Sequence, residues 1–172
     1  MLAVWVDDTI LTGSNTSAVQ QLKSDLKRRF KMKDEGELSW CLGTRISAHE
    51  DHITIDQEQY VEDVLARFGM SNCKPANTPA ALGIHLTKQD APQTSQEAME
   101  MKAVPYRSAV GSLLYASIRT RPDIASAVRA VAKFSSNPGK KHWTAVKRIF
   151  RYLKGTSSYG ISFSRGGSPL IG

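Results

Sequence analysis

Leu2-Ala3-Val4-Trp5-Val6-Asp7-Asp8-Thr9-Ile10-Leu11-Thr12 sets two short strand-favouring runs on either side of a pair of carboxylates. The reading is a tight hairpin with Asp7 and Asp8 at its tip. Adjacent carboxylates repel each other unless a cation neutralises them, and a divalent metal held by hard oxygen ligands is the simplest remedy. Two magnesium ions held in this way can stabilise both the attacking and the leaving oxygen of a phosphoryl transfer. Aspartate is also a favoured turn residue, so the pair alone reads more simply as an ordinary solvated turn.

Beyond the pair, Gly13-Ser14-Asn15 breaks the strand, and Val19, Leu22, Leu26 and Phe30 recur at helical spacing. Residues 38–49 are strand-like, Glu50-Asp51 makes a turn, and Ile53-Thr54-Ile55 alternates back as a second hairpin. Asp56 can cap the helix that follows, whose stripe is Tyr60, Val64, Leu65 and Phe68 before Gly69 stops it. From Pro75 to about Lys102 there is no periodicity, and the stretch reads as a long connector. Three helices are then expected: one from Pro105 with Val110, Leu113, Leu114 and Tyr115, and one from Pro122 with Ile124, Val128, Val131 and Phe134. The third runs from about Lys141 to Lys154. It sets Trp143, Val146, Ile149, Phe150 and Leu153 on one face and Lys147, Arg148, Arg151 and Lys154 on the other. Residues 159–163 close as a strand.

The 172 residues, 41% hydrophobic, are enough to build a real core. Cys41 and Cys73 form no C-x-x-C pair, so a reducing intracellular compartment is expected, cytoplasmic or nuclear. His49 and His52 lack partners at zinc-ligand spacing and read as surface histidines. No apolar run approaches a membrane span, and no membrane partner is expected. Charge is unevenly divided. Met1–Val104 holds 11 Lys+Arg against 15 Asp+Glu, a net −4, whereas Pro105–Gly155 holds 11 against 1, a net +10. Concentrated positive charge is what a polyanion-binding surface needs; a solvated helical face is the plain alternative.

Trp5-Val6-Asp7-Asp8 before an apolar strand resembles the Tyr-x-Asp-Asp box of reverse transcriptases, with tryptophan in the tyrosine position. Further stretches resemble the copia-type subgroup of retrotransposon enzymes. They are Phe30-Lys31-Met32-Lys33-Asp34, Leu42-Gly43, Phe68-Gly69-Met70, Asn77-Thr78-Pro79, Val110-Gly111-Ser112-Leu113-Leu114-Tyr115, Thr120-Arg121-Pro122-Asp123-Ile124 and Arg151-Tyr152-Leu153-Lys154-Gly155-Thr156. An ordered series over nearly the whole chain is far more specific than one box.

The resemblance implies an RNA-directed DNA polymerase fragment of α+β class. Residues 1–76 would be the C-terminal half of the palm, with a small antiparallel sheet made by the two hairpins and packed by helices at 16–30 and 56–68. Residues 77–104 would be a connector, 105–156 a basic helical thumb and connection subdomain, and 157–172 a strand leading towards RNase H. Asp7 and Asp8 would be catalytic and bind Mg2+, and Trp5 would lie near the primer end. Leu42 and Gly43 would support the primer. Arg107, Lys147, Arg148, Arg151 and Lys154 would touch the RNA/DNA template–primer duplex, with Arg119 and Arg121 as weaker candidates. The rest of the retrotransposon polyprotein would be a partner, in a cytoplasmic virus-like particle. The family pattern also calls for a third aspartate and nucleotide-holding fingers upstream of Met1, and continues beyond Leu170-Ile171-Gly172. The expectation is therefore that this polypeptide cannot polymerise by itself. A non-catalytic nucleic-acid-binding module and an inert transposon remnant are the alternatives.

Overall fold

The computed structural model describes residues 1–164; Arg165 and the Leu170-Ile171-Gly172 stretch lie outside the described residues. It is α+β, with two compact units, Met1–Ser39 and Trp40–Gly172.

In the first unit, β1 (Leu2–Trp5) pairs antiparallel with β2 (Asp8–Leu11), Trp5 lying opposite Asp8. The connecting pair is therefore Val6-Asp7, one residue earlier than the expected Asp7-Asp8 tip, because Asp8 is already taken into the ladder. Helix α1 (Thr16–Arg29) starts where the Asn15 side chain accepts from the Ala18 amide, and it ends on Lys27, Arg28 and Arg29, which complement its negative end. The strand-breaking reading of Gly13-Ser14-Asn15 thus meets a true cap. Lys23 and Lys27 clasp Asp34; the Lys23 hydrogen bond, then the Gly36 amide, draw that carboxyl down to about 2. No residue of α1 is buried.

The second unit opens with β3 (Trp40–Cys41), β4 (Thr44–Ala48) and β5 (His52–Asp56), and the strand β6 (Gly160–Ser164) completes a sheet of order β3-β4-β5-β6. One sheet from both hairpins was expected, yet there are two separate sheets. The reason lies in register: Ile161 and Phe163 of β6 stand opposite Ile55 and Ile53, so β6 takes the open edge of β5 and extends its apolar face. The strand expected over 38–49 is interrupted at Leu42-Gly43, a two-residue turn with Cys41 opposite Thr44. Both turn residues have left-handed φ, 49° and 72°, as a type I′ hairpin turn requires. Glycine supplies the second at little cost; leucine does not.

Helix α2 (Glu58–Arg67) follows β5, and Asp56 accepts from the Glu58 amide, close to the expected cap. The Pro75–Lys102 stretch is not wholly irregular: it contains a 3₁₀ turn, Lys88–Asp90, and α3 (Ser95–Lys102), capped by Thr94. Helices α4 (Tyr106–Arg119), α5 (Ala125–Ala132) and α6 (Lys140–Gly155) lie where three helices were expected. Pro122 begins a 3₁₀ turn rather than α5 itself, and Phe134 falls just beyond α5. The core is built where α2, α4, α5 and α6 meet, around Leu65, Leu113, Val128, Ile149 and Phe150, each at most 1% exposed. Burying one such side chain stabilises by roughly 1.5–3 kcal/mol. Tyr106 donates to the Val131 carbonyl from within this core, and burial pushes its hydroxyl up to about 12.

Candidate functional site

Three groups of residues were expected to carry function. The first is on the β1–β2 hairpin. Its two-residue loop brings Trp5, Asp7 and Asp8 to one end of the ribbon, all exposed, with the Trp5 side chain 61% open to solvent. Val6 between them holds φ at 48°, a conformation that β-branched residues rarely adopt and that costs on the order of 1–3 kcal/mol. The two-residue hairpin turn itself imposes it, since such turns take a positive φ at their first position. It fixes the direction in which the chain turns beside the carboxylates. Among the described residues no group of three or more His, Cys, Asp or Glu is arranged to hold a metal ion. The pair fits magnesium in donor chemistry, since hard carboxylate oxygens are its preferred protein ligands, and one or two of them with water and phosphate can complete its shell.

The second group is the Leu42–Gly43 turn. It is not free-standing: the Tyr115 hydroxyl of α4 donates to the Leu42 carbonyl, 73 residues away in sequence. The Tyr115 ring packs edge-on to Tyr60 at 4.9 Å between centroids, and the Tyr60 hydroxyl donates to the Ser112 carbonyl of the same helix.

The third group, the cations, divides. Arg148 donates to the Thr78 hydroxyl at 2.9 Å, and the Arg151 Nε donates to the Lys74 carbonyl at 2.7 Å. These two hold the connector against α6. The side chains of Lys147 and Lys154, both in α6, make no hydrogen bond or ion pair among the described residues. Arg107 is exposed but spends its Nε on the Ser135 carbonyl. Arg121 is buried at 1%. It forks onto the Asp123 carboxylate and donates to both oxygens of Thr156, between the rings of Tyr152 and Tyr159. Such a guanidinium is held inside the fold.

Composition gave no hint of the roles of Tyr115, Arg121 and His142. His142 is fully buried. Its Nδ1 accepts from the Gly139 amide at 2.9 Å, which leaves Nε2 to donate to the Thr87 carbonyl at 3.0 Å. A side chain at Gly139 would collide with the Asp90 carbonyl, so glycine is needed for this close approach. His49 and His52, read as surface residues, stack at 4.3 Å on the β4–β5 hairpin, with Asp51 held to His52.

A family model described as "Reverse transcriptase (RNA-dependent DNA polymerase)" matches residues 1–82. The chain is 44% identical over 173 residues to the retrovirus-related Pol polyprotein from transposon TNT 1-94 of Nicotiana tabacum, a match covering 99% of this chain and 13% of that polyprotein. It is 34% identical over 165 residues to the Pol polyprotein from transposon RE1 of Arabidopsis thaliana, across 96% of this chain and 11% of the relative. The chain belongs to the copia-type reverse transcriptase family. This copia-type chain is also 35% identical over 162 residues to the uncharacterized mitochondrial protein AtMg00810 of Arabidopsis thaliana, of which it covers 63%. It thus spans a small part of the polyproteins it resembles, and both compact units fall within the matched region. No solved structure matches the chain significantly. No described helix is long and apolar enough to cross a membrane.

Proposed function

We propose that this copia-type chain supplies the carboxylate hairpin and the adjoining nucleic-acid-contacting helices of an RNA-directed DNA polymerase, the palm and thumb elements of the complete enzyme. The observation that carries the reading is the pair Asp7 and Asp8, exposed together at the end of a two-residue-turn hairpin beside an exposed Trp5. A two-residue hairpin turn takes a positive φ at its first position whatever its role, so the strained valine alone does not argue for a site. An exposed tryptophan beside an exposed carboxylate pair suits a surface that meets a metal and a primer end.

In this reading the Asp7 and Asp8 carboxylates hold magnesium, which when bound neutralises charge developing on the phosphoryl oxygens during nucleotidyl transfer. Trp5, paired opposite Asp8, offers an aromatic plane to the primer terminus. The Leu42–Gly43 turn supports the primer backbone. Lys147 and Lys154, and the outer edge of Arg107, neutralise phosphates of the template–primer duplex without reading sequence. Arg148 and Arg151 contribute through the connector they hold. Two carboxylates without a third ligand bind magnesium weakly, so the polypeptide alone extends no primer, and the remaining ligands come from the rest of the polyprotein.

Manganese, a paramagnetic substitute for magnesium, provides the test. Titrated into the labelled chain, it is expected to broaden the amide signals of residues 5–8 first, at millimolar concentration, and Asp7→Asn should abolish that selectivity. Broadening spread evenly over exposed carboxylates, or unchanged in the variant, would contradict the reading.

A further inference from the structure

The Leu42–Gly43 turn raises a question that the carboxylate hairpin does not answer: what keeps leucine in a left-handed conformation. Leucine at φ 49° lies outside its preferred regions and costs on the order of 1 kcal/mol or more, so the turn needs an external hold. Most of the hold comes from α4. The Tyr115 hydroxyl donates to the Leu42 carbonyl, and the same oxygen stands 3.5 Å from where a β-carbon on Gly43 would be. The hydroxyl is itself aimed. Tyr60 packs against one side of the Tyr115 ring, and the Arg119 guanidinium lies over the ring, 5.5 Å from its centroid. A second tie runs parallel to the first: Thr120, which follows α4, donates to the Gln57 side chain at 2.9 Å, both residues being buried. Gln57 continues the β4–β5 register to a position opposite Thr44, the residue after the turn. The turn is therefore fastened to the C-terminal half of α4 at its tip and at its base.

We propose that Tyr115 is a positioning residue: through its hydroxyl it holds the Leu42–Gly43 turn in its strained form and makes the turn and α4 a single rigid element. Nucleic acid lying along α4 and a primer terminus resting on the turn are then kept in fixed register. The rigid-element part stands on the geometry alone; the primer part rests on the function proposed above.

Tyr115→Phe removes the hydroxyl and leaves the ring packing. In the variant, amide exchange at residues 42–44 should rise about fivefold, the scale of one neutral hydrogen bond, while the core amides of α4 and α6 keep their protection. Unchanged exchange at 42–44 overturns the proposal whatever the chain binds. Fluorescence anisotropy on two RNA–DNA duplexes of equal length, one with a recessed primer end and one blunt, separates the second part. The parent chain should prefer the recessed end severalfold and the variant should lose that preference while holding the blunt duplex equally well. A parent chain with no such preference, combined with faster exchange in the variant, would overturn the primer reading and leave the positioning role supported. A preference kept by the variant would refute the register role.

Discussion

Arg121 sits between an element that begins at Pro122 and the end of α6, and its fork onto Asp123 and Thr156 joins them. Replacing it with methionine would leave the Thr156 carbonyl and the Asp123 carboxylate without their donor, although Tyr152 still donates to Asp123. Asp123 is partly exposed, so the loss should fall near the lower end for a broken buried pair, about 3 kcal/mol in urea denaturation. A loss under about 1 kcal/mol would show that the fork is dispensable. The sequence offered Arg121 as a weaker nucleic-acid contact, because nothing in Thr-Arg-Pro-Asp separates a buried arginine from a solvated one. Its partner Thr156 lies 35 residues away and Tyr115 lies 73 from Leu42, distances that local periodicity does not reach. The hairpin that carries Trp5, Asp7 and Asp8 was legible because its pairing is local, and the turn's one-residue offset was not.

Among the elements, the connector departs most from its reading. Without an apolar stripe it looked like a loop, and α3 escaped notice because Met101 is its only buried residue. What orders the segment comes from α6: Lys141 reaches the His85 carbonyl and the Asp90 carboxylate, His142 reaches Thr87, and Arg148 and Arg151 hold residues 74–78. The Lys141 hydrogen bond, then the Thr87 amide, bring the Asp90 carboxyl down to about 2, from an ordinary value of 3.8. A carboxylate lowered in the fold stabilises it above the ordinary value, and that contribution is lost as pH falls from about 4 through about 2. The Asp90 carboxyl carbon, followed by NMR, should therefore titrate below pH 3, and Asp90→Asn should speed exchange of the Thr87 amide at neutral pH. A midpoint near 3.8 would mean that Lys141 does not engage it in solution. The helices themselves were legible: α4, α5 and α6 carry apolar stripes at helical spacing that supply most of the core, although Leu114, expected on the α4 stripe, is 49% exposed, and Tyr115 and Phe134 are only partly buried. The joining of the hairpins was not, since the choice between one sheet and two depends on which strand fills the β5 edge.

For the whole molecule, burial is unevenly shared. The second unit encloses a core of four helices, whereas β1, β2 and α1 contain no buried residue, and Leu2, Val4 and Trp5 are exposed. A two-stranded ribbon with one helix is marginal by itself. The carboxylate pair thus sits on the part of the chain with the least buried surface. The direct test is to exchange these 172 residues for the matching segment of the tobacco TNT 1-94 polyprotein, 44% identical, and to measure cDNA synthesis from its RNA. The chimera is expected to synthesise cDNA in magnesium, with Asp7→Asn or Asp8→Asn reducing it more than about a hundredfold while the purified chain alone makes none. Synthesis by the chimera that survives loss of either carboxylate would contradict the metal-holding role of the pair.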